Sequence, residues 1–504
     1  MADYDVIVIG GGHNGLTAAA YLASSGKRTL VLEARSELGG SLANKTFGEH
    51  SAPLGFATVD NLHPSVVDDL GLAGHGLEMN DGSGTLVVSG TTDPLWLPAD
   101  DPAANLSAED RTGLAEIQRL VDLAGVALKP ILSGALPTIE PTGIGDLFGL
   151  LMAGWRLRSL GRRDMPEVMR MLPMTLRDIV EEHVSDPRLQ AAIACPAFHG
   201  TWLGPWSAGG GFALLHHRPP WRSQLLGPPR FAKGGPAALA AALAAAATVK
   251  GATLRTDARV ERIRVADNHV VGVTLANGET IEAADILSAC DPTTTLVDLL
   301  QPGWLPPETH RAARVIRYRG TVATARFALS ALPALPVSEA ATGRIQIGAS
   351  LVALEQAFDP AKYDEVPAAP MIELTFTESA AGPIAHTWVQ HVSAGAAADA
   401  GGRASVLEAI TTTIEAALPG FTEQIQASDL STAVDFQAEL GLAGGHLYHG
   451  ELGMDQLLYM RPIPGMYDHR TPIRGLYLGG PGSHPGGGIT GLPGKLGAAR
   501  VLVD

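Results

Sequence analysis

The 504-residue sequence is poor in cysteine, in basic residues and in long apolar runs. Its two cysteines, Cys195 and Cys290, are too few for a disulfide framework and form no CxxC-type redox pair. This usage indicates a reducing compartment and argues against a thiol–disulfide reductase. Lysine and arginine total 36 against 52 acidic residues, a formal charge of −16. Nucleic acid is therefore an unexpected partner, because phosphate binding needs a basic surface.

Signals for secretion and for crossing a membrane are also lacking. The longest uncharged apolar stretch, residues 236–249, is mostly alanine and too short for a bilayer. The opening MADYDVIVIGGG carries acids where a signal peptide carries basic residues. We therefore expect a cytoplasmic protein, with contact at the inner face of a membrane as an alternative.

The start of the chain has the pattern of one βαβ unit. Residues 5–9 and 29–33 are continuous apolar runs, which are typical of strands buried on both faces of a parallel sheet. Residues 16–25 form an alanine-rich helical segment between them. The turn that joins the first strand to this helix is GGGHNG, a G-x-G-x-x-G pattern in its expected setting.

This turn predicts a site for a dinucleotide. Gly10 permits the tight turn, Gly12 lets backbone N–H groups approach a pyrophosphate, and Gly15 lets the helix pack closely. The diphosphate would lie at a helix N-terminus, where free N–H groups and the macrodipole favour anions. Glu33 ends the second strand, where an acid binds ribose hydroxyls.

Two further glycine-rich segments favour FAD over NAD. The pair Gly39-Gly40 follows Glu33, and such an extension lets the chain pass close to a flavin and its ribityl phosphate. Near the other end, YLGGPGSHPGGGITGLPG predicts a short strand, a glycine-rich loop and a helix over 492–502. Seven glycines in residues 479–491 carry a large entropic cost, which is reasonable where backbone must lie against a flat ring system.

With these motifs the sequence resembles the phytoene desaturase-like group of flavoproteins, within the flavin amine oxidase superfamily. The resemblance also rests on FAKGGPAALAAAL, ADILSACDP and MDQLLYMRP, so it spreads over nearly the whole chain. Within the group, the sequence is most similar to the pyridine nucleotide-disulfide oxidoreductase domain-containing 2 subgroup. These motifs are very specific for FAD and carry little information about the substrate.

The resemblance implies which residues surround non-covalently bound FAD. Around the pyrophosphate it places Gly10, Gly12, His13, Asn14 and Gly15. Near the adenosine it places Glu33 and Arg35, with backbone of Val260, at the end of a 253–260 strand, offered to the adenine. Along the ribityl chain it places Gly40 and Ser41, and by the pyrophosphate and isoalloxazine Gly480, Gly488, Ile489 and Thr490.

Two departures and absences limit what carries over. Many relatives have arginine directly after the glycine pair, whereas Ser41 stands here, so no role of that arginine is transferred. The glycines at 209–211 and 444–445 lack a strand–helix setting, so no NAD(P)H domain is predicted. We therefore expect electrons to pass from the flavin to oxygen, a quinone or another diffusible acceptor. The tail has no cysteine for a thioether link to the flavin.

No residue is clearly a catalytic base. His484 is a weak candidate for poising flavin chemistry, and bracing of its loop is the favoured interpretation. His199, His216 and His217 lack the spacing and the carboxylate or thiolate of a metal site, so no metal is predicted and they read as pocket wall or packing. Residues 147–163 combine apolar side chains with four arginines, which suits a membrane-surface helix; an amphipathic core helix is the favoured alternative.

The predicted fold is α/β: a discontinuous Rossmann-like FAD domain (1–75, 230–300 and 460–504) with an inserted α+β substrate domain (76–229 and 301–459). Residues 80–230 show mainly helical periodicity. The leading function is dehydrogenation or desaturation of an apolar substrate, such as an isoprenoid or lipid-like molecule, by hydride transfer to flavin N5 in an apolar pocket. Amine oxidation is an alternative that would need an aromatic cage, and only 5% of residues are aromatic with no clear pair. A redox-neutral isomerase or a flavin-stabilised interaction protein is the third alternative. The oligomeric state is left open.

Overall fold

The apolar run at the start of the chain forms the centre of a buried sheet. The computed structural model describes residues 3–139, 144–222, 224–319, 322–379 and 381–504. Strand β1 is Tyr4–Ile9, helix α1 is His13–Ser24 and strand β2 is Thr29–Leu32. Every residue of β2 is buried, as expected for a strand covered on both faces.

The rest of the described chain alternates between strands and helices. The other strands are β3 (Asn44–Phe47), β4 (His50–Pro53), β5 (Met79–Asp81), β6 (Gly84–Val88), β7 (Leu95–Pro98), β8 (Arg230–Ala232), β9 (Thr253–Arg255), β10 (Val260–Ala266), β11 (His269–Leu275), β12 (Thr280–Ser288), β13 (Val322–Leu329), β14 (Arg344–Ile347), β15 (Ile372–Ser379), β16 (Gly382–Gln390), β17 (Ile425–Ser431) and β18 (Leu476–Leu478). The other helices are α2 (Pro64–Leu70), α3 (Ala108–Ser133), α4 (Ile144–Ser159), α5 (Gly161–Met171), α6 (Leu176–Glu181), α7 (Pro187–Ala194), α8 (Gly210–His217), α9 (Pro236–Val249), α10 (Pro307–Arg314), α11 (Leu351–Phe358), α12 (Ala400–Ala417), α13 (Ala433–Leu440) and α14 (Leu492–Val503).

The first sheet has a parallel centre. β1 pairs in parallel with β2 on one side and with β12 on the other, and β9 and β18 extend the parallel set. β10 and β11 add an antiparallel pair beside the first half of β12. Gly278, with a φ of +87°, lies in the turn that joins β11 to β12, as the Asn-Gly dipeptide predicts.

The second sheet has the order β17-β13-β16-β15-β14-β6-β7. The expectation of mainly helical structure over 80–230 is therefore wrong for residues 84–98, which form β6 and β7. These strands are short, and β6 pairs in parallel with β14, whose residues lie more than 250 positions later. Such a long-range pairing leaves no local periodicity from which to predict it.

Helices cover one face of the first sheet. α1 lies between α9 and α14, and its buried face is made of leucine and alanine. All strands of the first sheet fall within 1–75, 230–300 and 460–504, and all strands of the second fall within 76–229 and 301–459. The fold is thus a Rossmann-like sheet assembled from separate segments, beside a mainly antiparallel sheet. The domain boundaries themselves stay a prediction.

Candidate functional site: two neighbouring cavities

The first glycine turn leaves the N-terminus of α1 open. Gly10 has a φ of +100° and its N–H donates to the Leu32 carbonyl at 2.9 Å. Gly12 is the N-cap of α1 and has no side chain to occupy the free N–H groups, and no acid lies in the first turn. This end of the helix is therefore suited to an anionic group.

The second glycine turn packs directly against the first. The Gly39 N–H donates to the Gly11 carbonyl at 2.8 Å. A β-carbon on Gly40, whose φ is +57°, would lie 3.3 Å from Cα of Gly12. The close approach of the two turns explains why glycine is needed in both.

Glu33 fastens these turns through its carboxylate. Oε2 accepts the Gly11 N–H at 2.7 Å, and Oε1 accepts the Arg35 N–H at 2.9 Å. The side chain is 8% exposed and lies in the wall of a cavity. Glu33 thus has a structural role in addition to the ribose contact that the sequence predicts.

The placement of Val260 differs from the prediction. Val260 begins β10 instead of ending a strand over 253–260, because the chain turns at Asp257, whose φ is +51°. The Asp257 N–H donates to the Arg35 carbonyl at 3.0 Å, and the Ala258 N–H donates to the Glu33 carbonyl at 2.8 Å. This turn holds Val260 beside Glu33, so it still reaches the predicted site.

The C-terminal glycine loop contacts the first turn. A β-carbon on Gly494, in α14, would lie 2.1 Å from the Asn14 carbonyl oxygen, so the two helices touch through backbone. His13 forms a hydrogen bond with the backbone of Gly488. Burial, together with the charge of His449, lowers the pKa of His13 to about 4, so the imidazole is neutral at pH 7. The two ends of the described chain therefore meet at one place, as the glycine motifs predict.

A long cavity of about 680 Å³ opens along the carboxyl edge of the first sheet. It is lined by many of the residues that the resemblance implies, namely Gly10, Gly12, His13, Asn14, Gly15, Glu33, Arg35, Gly40, Ser41 and Val260. Gly488 and Ile489 line a second cavity instead, and Gly480 and Thr490 line neither. The sequence motifs thus converge on one elongated space, with the C-terminal loop at its side.

Sequence reasoning missed one wall of the long cavity. This wall comes from α13 and the loop after it, with residues 437–442, Leu447 and His449. These positions lie far along the chain from the glycine motifs and have no recognisable pattern of their own. Asp291 and Cys290 also line the cavity; they follow β12, at the end of the ADILSACDP segment that contributed to the resemblance.

The second cavity is smaller, about 70 Å³, and lies behind residues 447–449. Leu447 and His449 face the long cavity, whereas Tyr448 faces the small one, so this segment separates the two. Gly488 is next to the Tyr448 ring, since a β-carbon on it would lie 3.8 Å from ring carbon Cε1. The small cavity therefore adjoins the predicted isoalloxazine loop.

Charged side chains surround the small cavity. Arg344 contacts the carboxylate of Asp60 and lies 3.2 Å from that of Glu373. Nε2 of His199 lies 3.0 Å from Glu373, on the same carboxylate. Burial alone would raise the pKa of Glu373, but Arg344, His199 and Arg218 hold it well below its usual range. His199 and His217 are thus part of a pocket wall, one of the two interpretations from the sequence.

The small cavity departs from the apolar pocket that the sequence predicts, because Asp60, Arg218 and Glu373 line it. It also contains the aromatic grouping that composition alone did not reveal. The ring centroids of Phe56 and Trp388 are 4.9 Å apart and stacked, and Phe56 meets Tyr448 edge-on at 5.8 Å. These rings come from three distant segments, which is why no sequence pair announces them.

His484 lies outside the walls of both cavities. Its Nε2–H donates to the Ile131 carbonyl at 2.8 Å, near the end of α3. Burial lowers the pKa of His484 to about 3, so the ring is neutral. This geometry corresponds to the bracing role that the sequence favours.

The segment 147–163 does not pack as a core helix. Four of its large apolar side chains are 51–62% exposed, namely Leu147, Phe148, Leu151 and Trp155. Within the described ranges, no helix is long and apolar enough to cross a membrane. The described residues likewise contain no group of three or more metal-ligating side chains placed to hold an ion.

The long cavity fits a dinucleotide by its own geometry. A β-carbon on Gly12 would meet nothing within 4 Å, so the backbone there faces open space beside the free N–H groups of α1. A carboxylate, Glu33, lies at the neighbouring strand end in the same wall. These are the donor and acceptor groups that a pyrophosphate and a ribose require.

Comparison with known proteins gives a consistent result. The family described as "Flavin containing amine oxidoreductase" matches residues 15–344. The rat (Rattus norvegicus) pyridine nucleotide-disulfide oxidoreductase domain-containing protein 2 is 30% identical, covering 100% of this chain and 94% of that protein. A limonene dehydrogenase subunit of Castellaniella defragrans is 23% identical, covering 99% and 94%. A triple mutant of putrescine oxidase shares the fold, with a TM-score of 0.64, 15% identity and 99% coverage of both chains.

Proposed function

Because the chain belongs to the flavin containing amine oxidoreductase family and is an FAD-dependent oxidoreductase, we propose that it dehydrogenates an organic substrate held in the small cavity. The observation that carries this proposal is the position of Gly488 and Ile489, which line the small cavity while their loop contacts the first glycine turn through His13. A substrate there would adjoin the cofactor that the long cavity fits.

The residues of the chain bind, orient and shield. The helix N-terminus at Gly12 would hold the pyrophosphate of FAD, and Glu33 would hold a ribose. When bound, FAD supplies an acceptor for a hydride and thus for two electrons. The substrate loses that hydride from carbon and a proton from the adjacent atom, so a double bond forms. Oxygen, a quinone or another diffusible molecule then takes the two electrons in the proposed cycle.

The proposed substrate has an apolar carbon skeleton. The rings of Phe56, Trp388 and Tyr448 offer it a continuous aromatic surface. The limonene dehydrogenase protein of Castellaniella defragrans, a relative over nearly the full chain, has a hydrocarbon in its name. The small volume of the cavity means that the reacting end of a longer isoprenoid or lipid-like molecule would enter first.

Amine oxidation is the second candidate, and the same aromatic grouping favours it, since it supplies the cage that the sequence did not predict. The buried arginines beside it oppose a protonated amine by charge. A redox-neutral role predicts that no substrate reduces the flavin.

An anaerobic reduction screen tests these alternatives. The FAD-loaded protein is mixed with saturated or partly saturated hydrocarbons and acids, and with primary amines, while flavin absorbance is followed. Bleaching by non-nitrogenous substrates supports dehydrogenation. Bleaching by amines alone would replace it with amine oxidation, and retention of yellow colour with every compound would favour the redox-neutral role.

We also propose that FAD is held non-covalently. Residues 479–491 contain no cysteine, and Cys290 lines the long cavity as a free thiol whose pKa burial raises to about 12. A protonated thiol is a poor nucleophile toward the flavin. Acid precipitation should therefore release all flavin into the supernatant; flavin retained in the pellet would contradict the proposal.

The exposed face of α4 is proposed to rest on an anionic lipid surface. Leu147, Phe148, Leu151 and Trp155 lie on one side of the helix, and Arg158 follows on the same side. Arg162 and Arg163 are exposed just beyond it, in α5. Apolar side chains bordered by arginines are typical of helices that lie in a membrane interface.

A further inference from the structure

We propose that the substrate carries a carboxylate and that Arg218 in the small cavity binds it. Calling the ligand the substrate depends on the proposed function, whereas the binding of a carboxylate does not. The inference comes from an unpaired guanidinium in a wall whose other charges are already paired.

Arg218 is buried and lacks a partner. It follows α8, is 6% exposed and lines the small cavity. Its Nε is buried without a hydrogen bond, and among the described residues no carboxylate lies within 4.0 Å of its guanidinium. A buried charge without a partner is strongly unfavourable, so a ligand that supplies the opposite charge would be bound tightly.

The neighbouring carboxylates are not available to Arg218. Asp60 and Glu373 both contact Arg344, and Glu373 also lies against His199. Arg222 adds a second positive charge nearby, and it donates to the carbonyl groups of Asp60 and Pro228. Three guanidinium groups thus face two carboxylates, so the unliganded wall has an excess positive charge.

A carboxylate has the right shape and size for this place. The planar fork of an arginine side chain accepts two carboxylate oxygens at once. The cavity of about 70 Å³ is roughly the share of two or three water molecules in the liquid, which suits a carboxylate with a few carbons. Because Gly488 and the Tyr448 ring line the same cavity, the carbons that follow the carboxylate would lie against the predicted flavin loop.

The test uses acetate, butyrate and hexanoate as anionic probes, with butyramide and butylamine as the neutral and cationic counterparts of butyrate. Calorimetric titration of the FAD-loaded protein should show binding of at least one acid and much weaker binding of the amide and the amine. In Arg218→Gln the dissociation constant of that acid should rise roughly tenfold or more, while Arg218→Lys should recover part of the loss. Arg162→Gln, at an exposed arginine, should bind the acid as wild type does.

A purely structural role of Arg218 predicts a different result. Arg218→Gln would then lower the melting temperature without probe, whereas removal of an unpaired buried charge should leave it unchanged or raise it. Failure of wild type to bind any of the three acids, or equal binding by wild type and a folded Arg218→Gln, would overturn the inference. The same titrations on protein without added FAD separate this inference from the proposed function, because a colourless protein that binds butyrate contradicts only the latter.

Discussion

The ring of Tyr448 lies against the backbone of Gly487, where a β-carbon would fall 1.7 Å from ring carbon Cδ1. Its other edge lies against Gly200, at 1.9 Å from the equivalent position. The ring is therefore held between two backbones and fixes the wall between the cavities. Gly487→Ala should lower the free energy of unfolding by about 2 kcal/mol or more, because neither neighbour can yield.

Urea unfolding of Gly487→Ala measures this effect. Gly74→Ala is the matched control, since a β-carbon there meets nothing within 4 Å. Adding Tyr448→Ala to Gly487→Ala should cost less than the sum of the two single changes, because removal of the ring relieves the clash. Strict additivity would show that the ring is not what excludes a side chain from Gly487.

Gly12 and Gly15 should separate cofactor binding from folding. A valine at Gly12 would project into the long cavity and, with φ at −72°, causes no backbone strain. Gly12→Val should weaken FAD binding roughly 10–100-fold while the apoprotein unfolds as wild type does. Flavin fluorescence titration measures the first effect and urea unfolding the second.

Gly15→Ala is the companion variant with the opposite expectation. Its β-carbon would lie 1.9 Å from the Gly10 carbonyl oxygen, so the fold itself should lose about 1–3 kcal/mol even without FAD. If Gly12→Val binds FAD normally, the first glycine turn does not hold the pyrophosphate.

Gly488 should matter for FAD beyond its backbone conformation. Gly488 and Gly278 have similar φ values, +100° and +87°, so alanine at either position strains the backbone by about 1 kcal/mol or more. Only Gly488→Ala should reduce the rise in melting temperature that excess FAD produces. Equal FAD-dependent stabilisation of the two variants would place the C-terminal loop away from the cofactor.

Acid should destabilise the protein between pH 6.5 and 4. Burial lowers the pKa of many histidines to about 3 or 4, namely His13, His216, His386, His391, His446, His449, His469 and His484. Since the unfolded chain takes up these protons near pH 6.5 and the native state does not, stability is full above pH 6.5 and falls as pH decreases. Each histidine contributes up to about 1.4 kcal/mol per pH unit.

Proton uptake on unfolding checks this expectation. At pH 5 the unfolded state should bind several more protons than the native state, and at pH 7.5 this excess should be nearly absent. Unfolding free energies that agree at pH 7.5 and pH 5 would show that these imidazoles are not held neutral.

The membrane proposal predicts sedimentation with anionic vesicles. Wild type should bind vesicles of phosphatidylcholine with phosphatidylserine more strongly than vesicles of phosphatidylcholine alone, and added salt should weaken the binding. Leu151→Ser with Trp155→Ser should reduce it, because both side chains are exposed. Val503→Ser, at another exposed apolar residue, serves as the control. No binding by wild type would leave α4 without this role.

Local motifs carried the predictions that the structure agrees with. The turn from Gly10 to Gly15 and the acid at Glu33 act within one βαβ unit, so their spacing alone specifies their geometry. The small cavity could not be predicted in this way. Asp60, Arg218 and Glu373 come from segments separated by more than 150 residues, and their meeting depends on how the second sheet packs on the first. Val260 was assigned to the wrong strand because one left-handed residue, Asp257, interrupts an otherwise strand-like run.

The contact between Asn14 and Gly494 spans 480 positions of sequence. A ribosome adds about 5–20 residues per second, so roughly 25–100 s pass between the synthesis of these two residues. During that interval the side of α1 that packs on α14 has no native partner and its alanines and leucines stay open to other nascent chains. Closure of the nucleotide end of the molecule is therefore a late event in the life of each new chain, and helper proteins that shield apolar surface would act on residues 13–24 until then.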